Sequence, residues 1–307
     1  MRKIPFAQPL ININDTTSKI KKVLIENFPN EGSQTKEFEK ILCKFLKVKY
    51  AVSTTSGTTA IFLALKANGI KHNDEVIIPN ITFPATANAV TMAGAKPVLV
   101  DINPHNVLID EKSLIKKINK KTKCVIPVHV SGRGSNIKKI VTICKRKSIK
   151  VIEDAAEALG SKNGKKFLGT FGNAGCFSFA PNKIITTGQG GVVVTNNKKT
   201  YLNLIRLKDQ GRVGPATGSE DKYVSKGYNF KFTNLQSCLG LSQFKNFNWR
   251  VKKLKKIHNI YLKNLKQNTN FKIIDFNLKK GEVPLWTDIY CKKRNSLLNF
   301  LKSKNIQ

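Results

Sequence analysis

The chain has 307 residues, 40% of them hydrophobic, a size that accommodates one large domain and a smaller one. Lys and Arg total 54 against 19 Asp and Glu, which gives a formal charge of +35 and a pI near 10.1. No apolar run approaches the ~20 residues of a membrane span, and the amino terminus lacks a signal-peptide core, so we expect a cytoplasmic protein without membrane contact. The positive excess is nearly all lysine and is spread along the chain, which favours solvated surface charge over a nucleic-acid-binding site.

The six cysteines are scattered without the spacing of a metal site: Cys43, Cys124, Cys144, Cys176, Cys238 and Cys291. We interpret them as reduced thiols, and we expect no bound metal.

Two helices are predicted before the first strand. The first runs from Thr16 to Asn27, with Asn14 or Asp15 as its cap. The second is amphipathic, because its apolar side chains recur at helical spacing and indicate core packing: Phe38, Leu42 and Phe45.

A short strand from Tyr50 to Ser53 is predicted to turn through Ser56, Gly57 and Thr58 into an apolar helix. The free amide groups and the dipole at a helix start favour a phosphate, although Ser-Gly-Thr alone is also typical of an ordinary helix cap. Downstream, two segments each repeat strand, helix and strand. This alternation predicts an α/β fold with a mainly parallel sheet covered on both faces.

Short apolar runs after residue 150 end at residues with reactive side chains. Val151-Ile152 ends on the acidic pair Glu153-Asp154, and Cys176–Phe179 ends in a polar turn that carries Lys183. Functional side chains in α/β sheets project just past the carboxyl ends of strands. We therefore expect a carboxylate and a lysine to share one crevice.

A lysine and a carboxylate in one crevice suit pyridoxal-phosphate catalysis. The amine condenses with the cofactor's aldehyde, and the carboxylate partners its ring nitrogen. An opposite charge nearby shifts a pKa by ~1–3 units, enough to keep that nitrogen protonated at neutral pH. The residues alone leave other interpretations open, because most lysines are surface groups and Asp154 alone could be a helix cap or a metal ligand.

The segment EDAAEALGS, followed by FGNAGCFSFAPNKIITTGQGGVVVTNN, resembles the signature of the DegT/StrS group of sugar-nucleotide aminotransferases. These are pyridoxal 5'-phosphate enzymes of fold type I, which is aspartate-aminotransferase-like. The resemblance implies that Lys183 bonds to the cofactor's aldehyde, Asp154 pairs with its ring nitrogen and Ser178 binds its phosphate. Glu157 falls where family members often carry Gln or His near the phenolic oxygen. Dehydratase relatives replace the lysine with histidine, so Lys183 argues against that branch.

The resemblance extends to other cofactor contacts. It implies that Gly57 and Thr58 hold the phosphate and that Phe83 stacks on the ring. Thr82 and Ala85 are expected to face the same site.

Two further segments match the family in part. His129 lies in a Pro-Val-His match, but Ser131–Arg133 replaces the commoner Tyr-Gly-Gln ending. In GYNFKF, the resemblance implies that Asn229 reaches the phosphate in the neighbouring subunit. We therefore expect a homodimer with shared active sites.

The carboxyl-terminal part is expected to form a second, smaller unit. A long helix with a basic face is predicted from Thr233 to about Gln267. We place a large cofactor-binding domain at residues 1–245, and the start of a small α/β domain at 246–307. Family members continue for several tens of residues beyond this pattern, so we expect the small domain to be incomplete and the chain truncated.

The glycine turn after the lysine bears on the substrate. Residues 186–191 read TTGQGG, close to the TTGEGG of members that act at carbon four of the sugar, such as perosamine synthases. We therefore expect transamination of a 4-keto-6-deoxy sugar nucleotide, such as GDP-4-keto-6-deoxymannose, with glutamate as the amino donor, for polysaccharide or glycoconjugate biosynthesis. The alternatives are a basic nucleic-acid-binding or regulatory protein on the same fold, and an inactive fragment.

Overall fold

The structure, a computed structural model, describes residues 3–214, 220–265 and 268–307. Strands are numbered along the chain. Within these residues the central sheet contains seven strands: β1 (Tyr50–Thr54), β2 (Glu75–Pro79), β3 (Lys96–Val100), β6 (Thr122–Val125), β7 (Lys150–Asp154), β10 (Ala174–Ser178) and β11 (Gly191–Thr195). Short strands pair outside it: β4 (Ile102–Asn103) with β5 (Leu108–Ile109), β8 (Lys162–Asn163) with β9 (Lys166–Phe167), β12 (Arg212–Val213) with β13 (Lys222–Tyr223), and β14 (Phe271–Ile273) with β15 (Ile289–Cys291).

The central sheet is mainly parallel, with the strand order β1-β11-β10-β7-β6-β2-β3. The pairs from β10 to β3 are all parallel, and β11 runs antiparallel between β1 and β10. Since two antiparallel pairings restore direction, β1 runs the same way as β10. The carboxyl ends of all the sheet strands except β11 therefore meet at one edge, and the predicted α/β fold is confirmed.

Helices cover both faces of this sheet: α1 (Ile13–Ile25), α2 (Ser33–Leu46), α3 (Gly57–Ala67), α4 (Ala85–Met92), α5 (Glu111–Lys117), α6 (Ile137–Arg146), α7 (Lys198–Lys208), α8 (Asn234–Lys245), α9 (Phe247–Leu265) and α10 (Arg294–Ser303). The apolar residues of α3, α4 and α7 form one core, and those of α2, α6 and α8 form the other. The two cores lie on opposite faces of the sheet, because successive side chains of a strand alternate between its faces. In β11, Val193 belongs to the first core, whereas Val192 and Val194 belong to the second. Among the described residues, no helix is both long and apolar enough to cross a bilayer.

The first helix begins earlier than predicted. Its cap is Asn12 rather than Asn14 or Asp15, because the Asn12 side chain accepts a hydrogen bond from the Asp15 amide at 3.1 Å. Asp15 instead lies in the first turn, where its charge suits the helix dipole.

The long helix predicted from Thr233 is two helices in the structure. The break falls at Asn246, whose ψ of 13° lies outside the α-helical range and whose amide bonds to the carbonyl groups of Gln243 and Phe244. Helix α9 then starts at Phe247, which turns its ring into the core. The predicted end near Gln267 lies outside the described residues, and the domain boundary at residue 245 stays a prediction.

The carboxyl-terminal segment docks against the turn that follows β6. The Leu285 amide donates to the Ser131 carbonyl at 2.9 Å. The Ser161 hydroxyl accepts from the Val283 amide at 2.9 Å and donates to the Gly132 carbonyl at 2.8 Å. These bonds fix the turn at Ser131 and Gly132, which lies beside the sheet edge described below.

Candidate active site

A cavity of about 340 Å³ opens at the sheet edge where the parallel strands end. Its walls come from turns that follow β1, β2, β6, β7 and β10, so residues far apart in sequence meet there. The lining residues that the sequence singled out are Gly57, Thr58, Thr82, Phe83, Ala85, His129, Asp154, Glu157, Ser178, Lys183 and Gln189.

The two carboxylates at the end of β7 point to opposite faces of the strand, as the alternation of a strand requires. Glu153 is fully buried and accepts from His129 Nε2 at 2.9 Å and from three backbone amides of the turn at 169–172, at 2.6–2.9 Å. Asp154 lines the cavity. Glu153 therefore stabilises the surrounding backbone, whereas Asp154 is the carboxylate of this pair that is accessible to a ligand in the cavity.

Asp154 is buried but well supplied with donors. Thr86 Oγ1 donates to its Oδ2 at 2.7 Å, and the Ala156 amide donates to Oδ1 at 3.1 Å. Burial raises the pKa of the Asp154 carboxyl above its usual value, and these two hydrogen bonds act in the opposite direction. Thr86 is not among the site residues predicted from the sequence, although its position four residues after Thr82 indicates that both lie on one face of the helix start.

Lys183 and Glu157 form an ion pair inside the cavity. Lys183 Nζ lies 3.0 Å from Glu157 Oε1, and the Ser131 amide donates to Glu157 Oε2 at 2.8 Å. Ser131 has a φ of 57°, so this amide belongs to a residue in the left-handed backbone region. The lysine that follows β10 is thus held by a carboxylate that follows β7.

The start of α3 forms a small cradle with Ser178. Ser56 caps the helix by accepting from the Thr59 amide at 3.1 Å. A Cβ added at Gly57 would lie only 2.9 Å from Ser178 Cβ, so glycine keeps this space open. Ser178 Oγ accepts from the Ala180 amide at 3.3 Å, which leaves its hydroxyl proton free to donate. The arrangement suits a phosphate group.

Phe83 is 76% exposed at the rim of the cavity, so it is not a core residue. It lies in the turn between β2 and α4, with Thr82 and Ala85 on either side of the Phe83-Pro84 pair. An exposed aromatic face beside a cavity is available to stack on a flat ligand ring.

The Ser131–Arg133 segment that departs from the family pattern has a structural role for its arginine. Arg133 is buried, pairs with Asp288, and lies over the Phe276 ring at 4.7 Å. Its guanidinium therefore ties the turn to the carboxyl-terminal segment and does not line the cavity.

Asn229 does not reach the cavity of its own chain. It is exposed, and it pairs by a backbone bridge with Asp209 beyond the end of α7. Its predicted role in a neighbouring subunit stays a prediction.

The residues present fit pyridoxal phosphate. A helix start kept open by Gly57, a free hydroxyl at Ser178, a buried carboxylate and an amine all line one cavity. Each supplies a group that the cofactor's phosphate, ring nitrogen or aldehyde requires.

Comparison with known proteins identifies the family. Residues 11–307 match the DegT/DnrJ/EryC1/StrS aminotransferase family. The chain is 36% identical to GDP-perosamine synthase of Escherichia coli O157:H7 over 270 residues, which are 86% of this chain and 72% of that protein.

Solved structures agree with this family. The fold matches PseC of Helicobacter pylori, an aminotransferase involved in pseudoaminic acid biosynthesis, with a TM-score of 0.92, 29% identity, and coverage of 99% of this chain and 83% of that one. It also matches E. coli GDP-4-keto-6-deoxy-D-mannose-3-dehydratase with bound hydrated PLP, with a TM-score of 0.92, 26% identity, and coverage of 100% and 85%. The predicted family and cofactor are confirmed. The chain belongs to the DegT/DnrJ/EryC1/StrS aminotransferase family, as a pyridoxal-phosphate-dependent enzyme of the sugar-nucleotide aminotransferase type.

Proposed function

We propose that this protein transfers an amino group to the ketone of a 4-keto-6-deoxy sugar nucleotide, such as GDP-4-keto-6-deoxymannose, with glutamate as the amino donor. The observation that carries the proposal is the shared cavity of Lys183 and Asp154 beside the open helix start at Gly57. The likeness to GDP-perosamine synthase and the TTGQGG turn support the choice of sugar. Such a product would enter polysaccharide or glycoconjugate biosynthesis.

The cavity residues divide the work of binding. Pyridoxal phosphate supplies an aldehyde that exchanges amino groups and a protonated ring that withdraws electrons. Asp154 would hold the ring nitrogen by charge. The α3 amides at Gly57 and Thr58, with the Ser178 hydroxyl, would hold the phosphate. Phe83 would cover one ring face and limit access of water.

The catalytic proton transfers fall to Lys183. In one half-reaction its Nζ would accept a proton from the α-carbon of the amino donor. In the other half-reaction it would deliver a proton to the keto carbon of the sugar. Glu157, 3.0 Å from that nitrogen, would keep Nζ oriented in the cavity. Gln189 also lines the cavity, and it stands where TTGEGG members carry Glu.

The turn after Lys183 supports carbon four as the aminated position. It sets how far the sugar can slide past the cofactor. A carbonyl one carbon away would be displaced by more than about an ångström, and misplacement of that size can cost on the order of 100-fold in rate. The test is the turnover of matched 4-keto and 3-keto sugar nucleotides. Faster turnover of the 3-keto isomer would contradict the position while leaving the aminotransferase intact.

A homodimer is part of this proposal. Asn229 is exposed and outside its own cavity, which is the placement that a residue serving a neighbouring site requires. Sedimentation should show a dimer, and Asn229→Ala should weaken cofactor binding without unfolding the chain. A monomer with full cofactor affinity would overturn the shared site.

Lys183→Ala tests the centre of the proposal. The variant should lose all transamination and the visible absorbance of the cofactor-bound protein, because only a primary amine at this position can bond to the aldehyde. Borohydride reduction of the wild-type protein followed by peptide mapping should place the pyridoxyl label on Lys183. A label on another lysine would refute the assignment, and a colourless wild-type protein would favour a binding module.

A further inference from the structure

Two threonines of one turn support the Asp154 carboxylate from the α4 side. Thr86 is fully buried and donates to Asp154 Oδ2 at 2.7 Å. The Thr82 and Thr86 hydroxyl oxygens are 2.7 Å apart, and Thr82 reaches the cavity wall.

The ionised carboxylate fixes the direction of this hydrogen-bond chain. A carboxylate only accepts, and a threonine hydroxyl has a single proton to donate. The Thr86 proton is therefore committed to Asp154, and Thr82 must donate to Thr86. The chain runs from Thr82 through Thr86 to Asp154, so both hydroxyl dipoles favour the negative charge. Hydrogen bonds in series strengthen one another where water is excluded.

The charge needs this support because the site is buried. Burial raises the pKa of Asp154, whereas the Thr86 bond acts to lower it. A neutral acid would lose the charge attraction to a protonated ring nitrogen. Apart from Thr86, the Ala156 amide is the hydrogen-bond donor to Asp154 among the described residues, and it serves the other oxygen at 3.1 Å.

The same turn also carries Phe83. The Thr86 amide donates to the Phe83 carbonyl at 3.1 Å, so the residue that would cover the ring face and the residue that holds its charge partner are fixed together. A displacement of this turn would therefore move both contacts.

We propose that Thr86 is a positioning residue for the cofactor, which keeps Asp154 charged and aimed at the ring nitrogen, and that Thr82 supports it. The proposal rests on the role given to Asp154 in the proposed function. Neither threonine touches the reacting atoms, and both act through the carboxylate.

The test compares four variants by titrating the cofactor-free protein with pyridoxal phosphate. Thr86→Val keeps the shape but removes the hydroxyl, and Thr86→Ser restores it. Thr91→Val is the matched control, because Thr91 lies exposed on the same helix and its hydroxyl donates to the Ala87 carbonyl at 3.2 Å, away from Asp154. Hydrogen bonds to charged groups contribute enough that Thr86→Val should weaken binding by about 10- to 100-fold. Thr86→Ser should recover most of it, Thr82→Val should lose less than Thr86→Val, and Thr91→Val should bind as wild type.

A cofactor analogue with a ring C–H in place of the nitrogen separates positioning from general damage. Asp154 has no positive partner on this analogue, so wild type and Thr86→Val should bind it equally. An equal loss with both ligands, or a Thr86→Val variant that binds like Thr91→Val, would overturn the proposal.

Asp154→Asn separates this inference from the proposed function. If Asp154→Asn weakens pyridoxal phosphate selectively over the analogue and Thr86→Val does not, only the inference fails. If Asp154→Asn binds like wild type, the role of Asp154 fails and the inference fails with it.

Discussion

At the scale of single residues, the neighbouring carboxylates Glu153 and Asp154 have different surroundings: one is enclosed by the protein and the other lines the cavity. Both are carboxylates at the end of β7, yet Glu153 is enclosed by His129 and three backbone amides. Asp154 instead faces the cavity with two donors. The difference follows from strand alternation, which sends neighbouring side chains to opposite faces.

Asp154→Asn should stabilise the cofactor-free protein at neutral pH. Burial raises the pKa of Asp154 in the folded chain above its value in the unfolded chain, so folding favours the protonated acid. The stabilising contribution is present below the unfolded pKa and is lost as pH rises through the folded pKa. A neutral Asn avoids the cost of a buried charge, about 1 kcal/mol or more.

Thermal melts from pH 4 to pH 8 check this. The Asn variant should melt higher than wild type near pH 7.5, and the difference should shrink as pH falls. A difference that grows on acidification would contradict the assigned direction of the shift.

At the scale of elements, the start of α3 depends on a missing side chain. Because a Cβ at Gly57 would lie 2.9 Å from Ser178 Cβ, only glycine lets the helix start and the end of β10 approach this closely and leave the cradle between them open. The glycine is required for space, whereas the cap is supplied by Ser56.

Gly57→Ala should weaken pyridoxal phosphate binding by about tenfold or more, which corresponds to ~1.4 kcal/mol. The added methyl group enters the cradle and also crowds the buried Ser178 side chain, so the cofactor-free protein should lose some thermal stability as well. Isothermal titration and melting of the same samples measure the two effects. Unchanged affinity would show that the phosphate lies elsewhere.

The turn after β6 is a second element that glycine makes possible. Gly132 has a φ of +97°, and a Cβ there would lie 2.0 Å from the Val283 carbonyl oxygen. The Val283 backbone therefore packs directly against Gly132. This packing, with the hydrogen bond from the Leu285 amide to the Ser131 carbonyl, joins the carboxyl-terminal segment to the turn whose Ser131 amide binds Glu157. The packing of that segment therefore bears on the residue that pairs with Lys183.

Gly132→Ala should destabilise the protein by ~3 kcal/mol or more, through backbone strain and overpacking. Gly69→Ala is the matched control, since Gly69 has a φ of +82° but no atom within 4 Å of an added Cβ. The control should cost only the strain of the left-handed backbone, about 1–2 kcal/mol. Urea melts measure both, and equal losses would show that the contact with Val283 is unimportant.

At the scale of the whole molecule, the large positive net charge is expected to affect the stability of the folded state. The net charge of +35 places many lysines within reach of one another, and the ion pairs around Lys208 and Asp209 engage only a few of them. Self-repulsion of this kind destabilises a compact state and is screened by salt.

Raising NaCl from about 0.05 M to 0.5 M should increase the melting temperature by about 2–5 °C, because the Debye length falls well below the spacing of surface charges. An uncharged osmolyte at equal osmolality is the control for excluded-volume effects. A melting temperature that falls with NaCl would show that ion pairs outweigh repulsion.

The fold class, the family and the cofactor of this protein were predictable from its sequence. Strand and helix periodicity predicted the mainly parallel α/β sheet, and the motif around Lys183 indicated both the family and the cofactor. These predictions were correct because hydrophobic periodicity and the residues that follow each strand are local properties of the chain. Local signals also misled: the cap of α1 is Asn12, and a continuous helical pattern conceals the break at Asn246.

Only the tertiary structure decided which polar groups act together. Thr86 lies 68 residues from Asp154 in sequence, and Ser131 lies 26 residues from Glu157. Their pairing depends on the order in which parallel strands assemble, because that order sets which turns meet at the sheet edge. The same packing buries Arg133 against Phe276 and so withdraws it from the cavity, an outcome that no local pattern specifies.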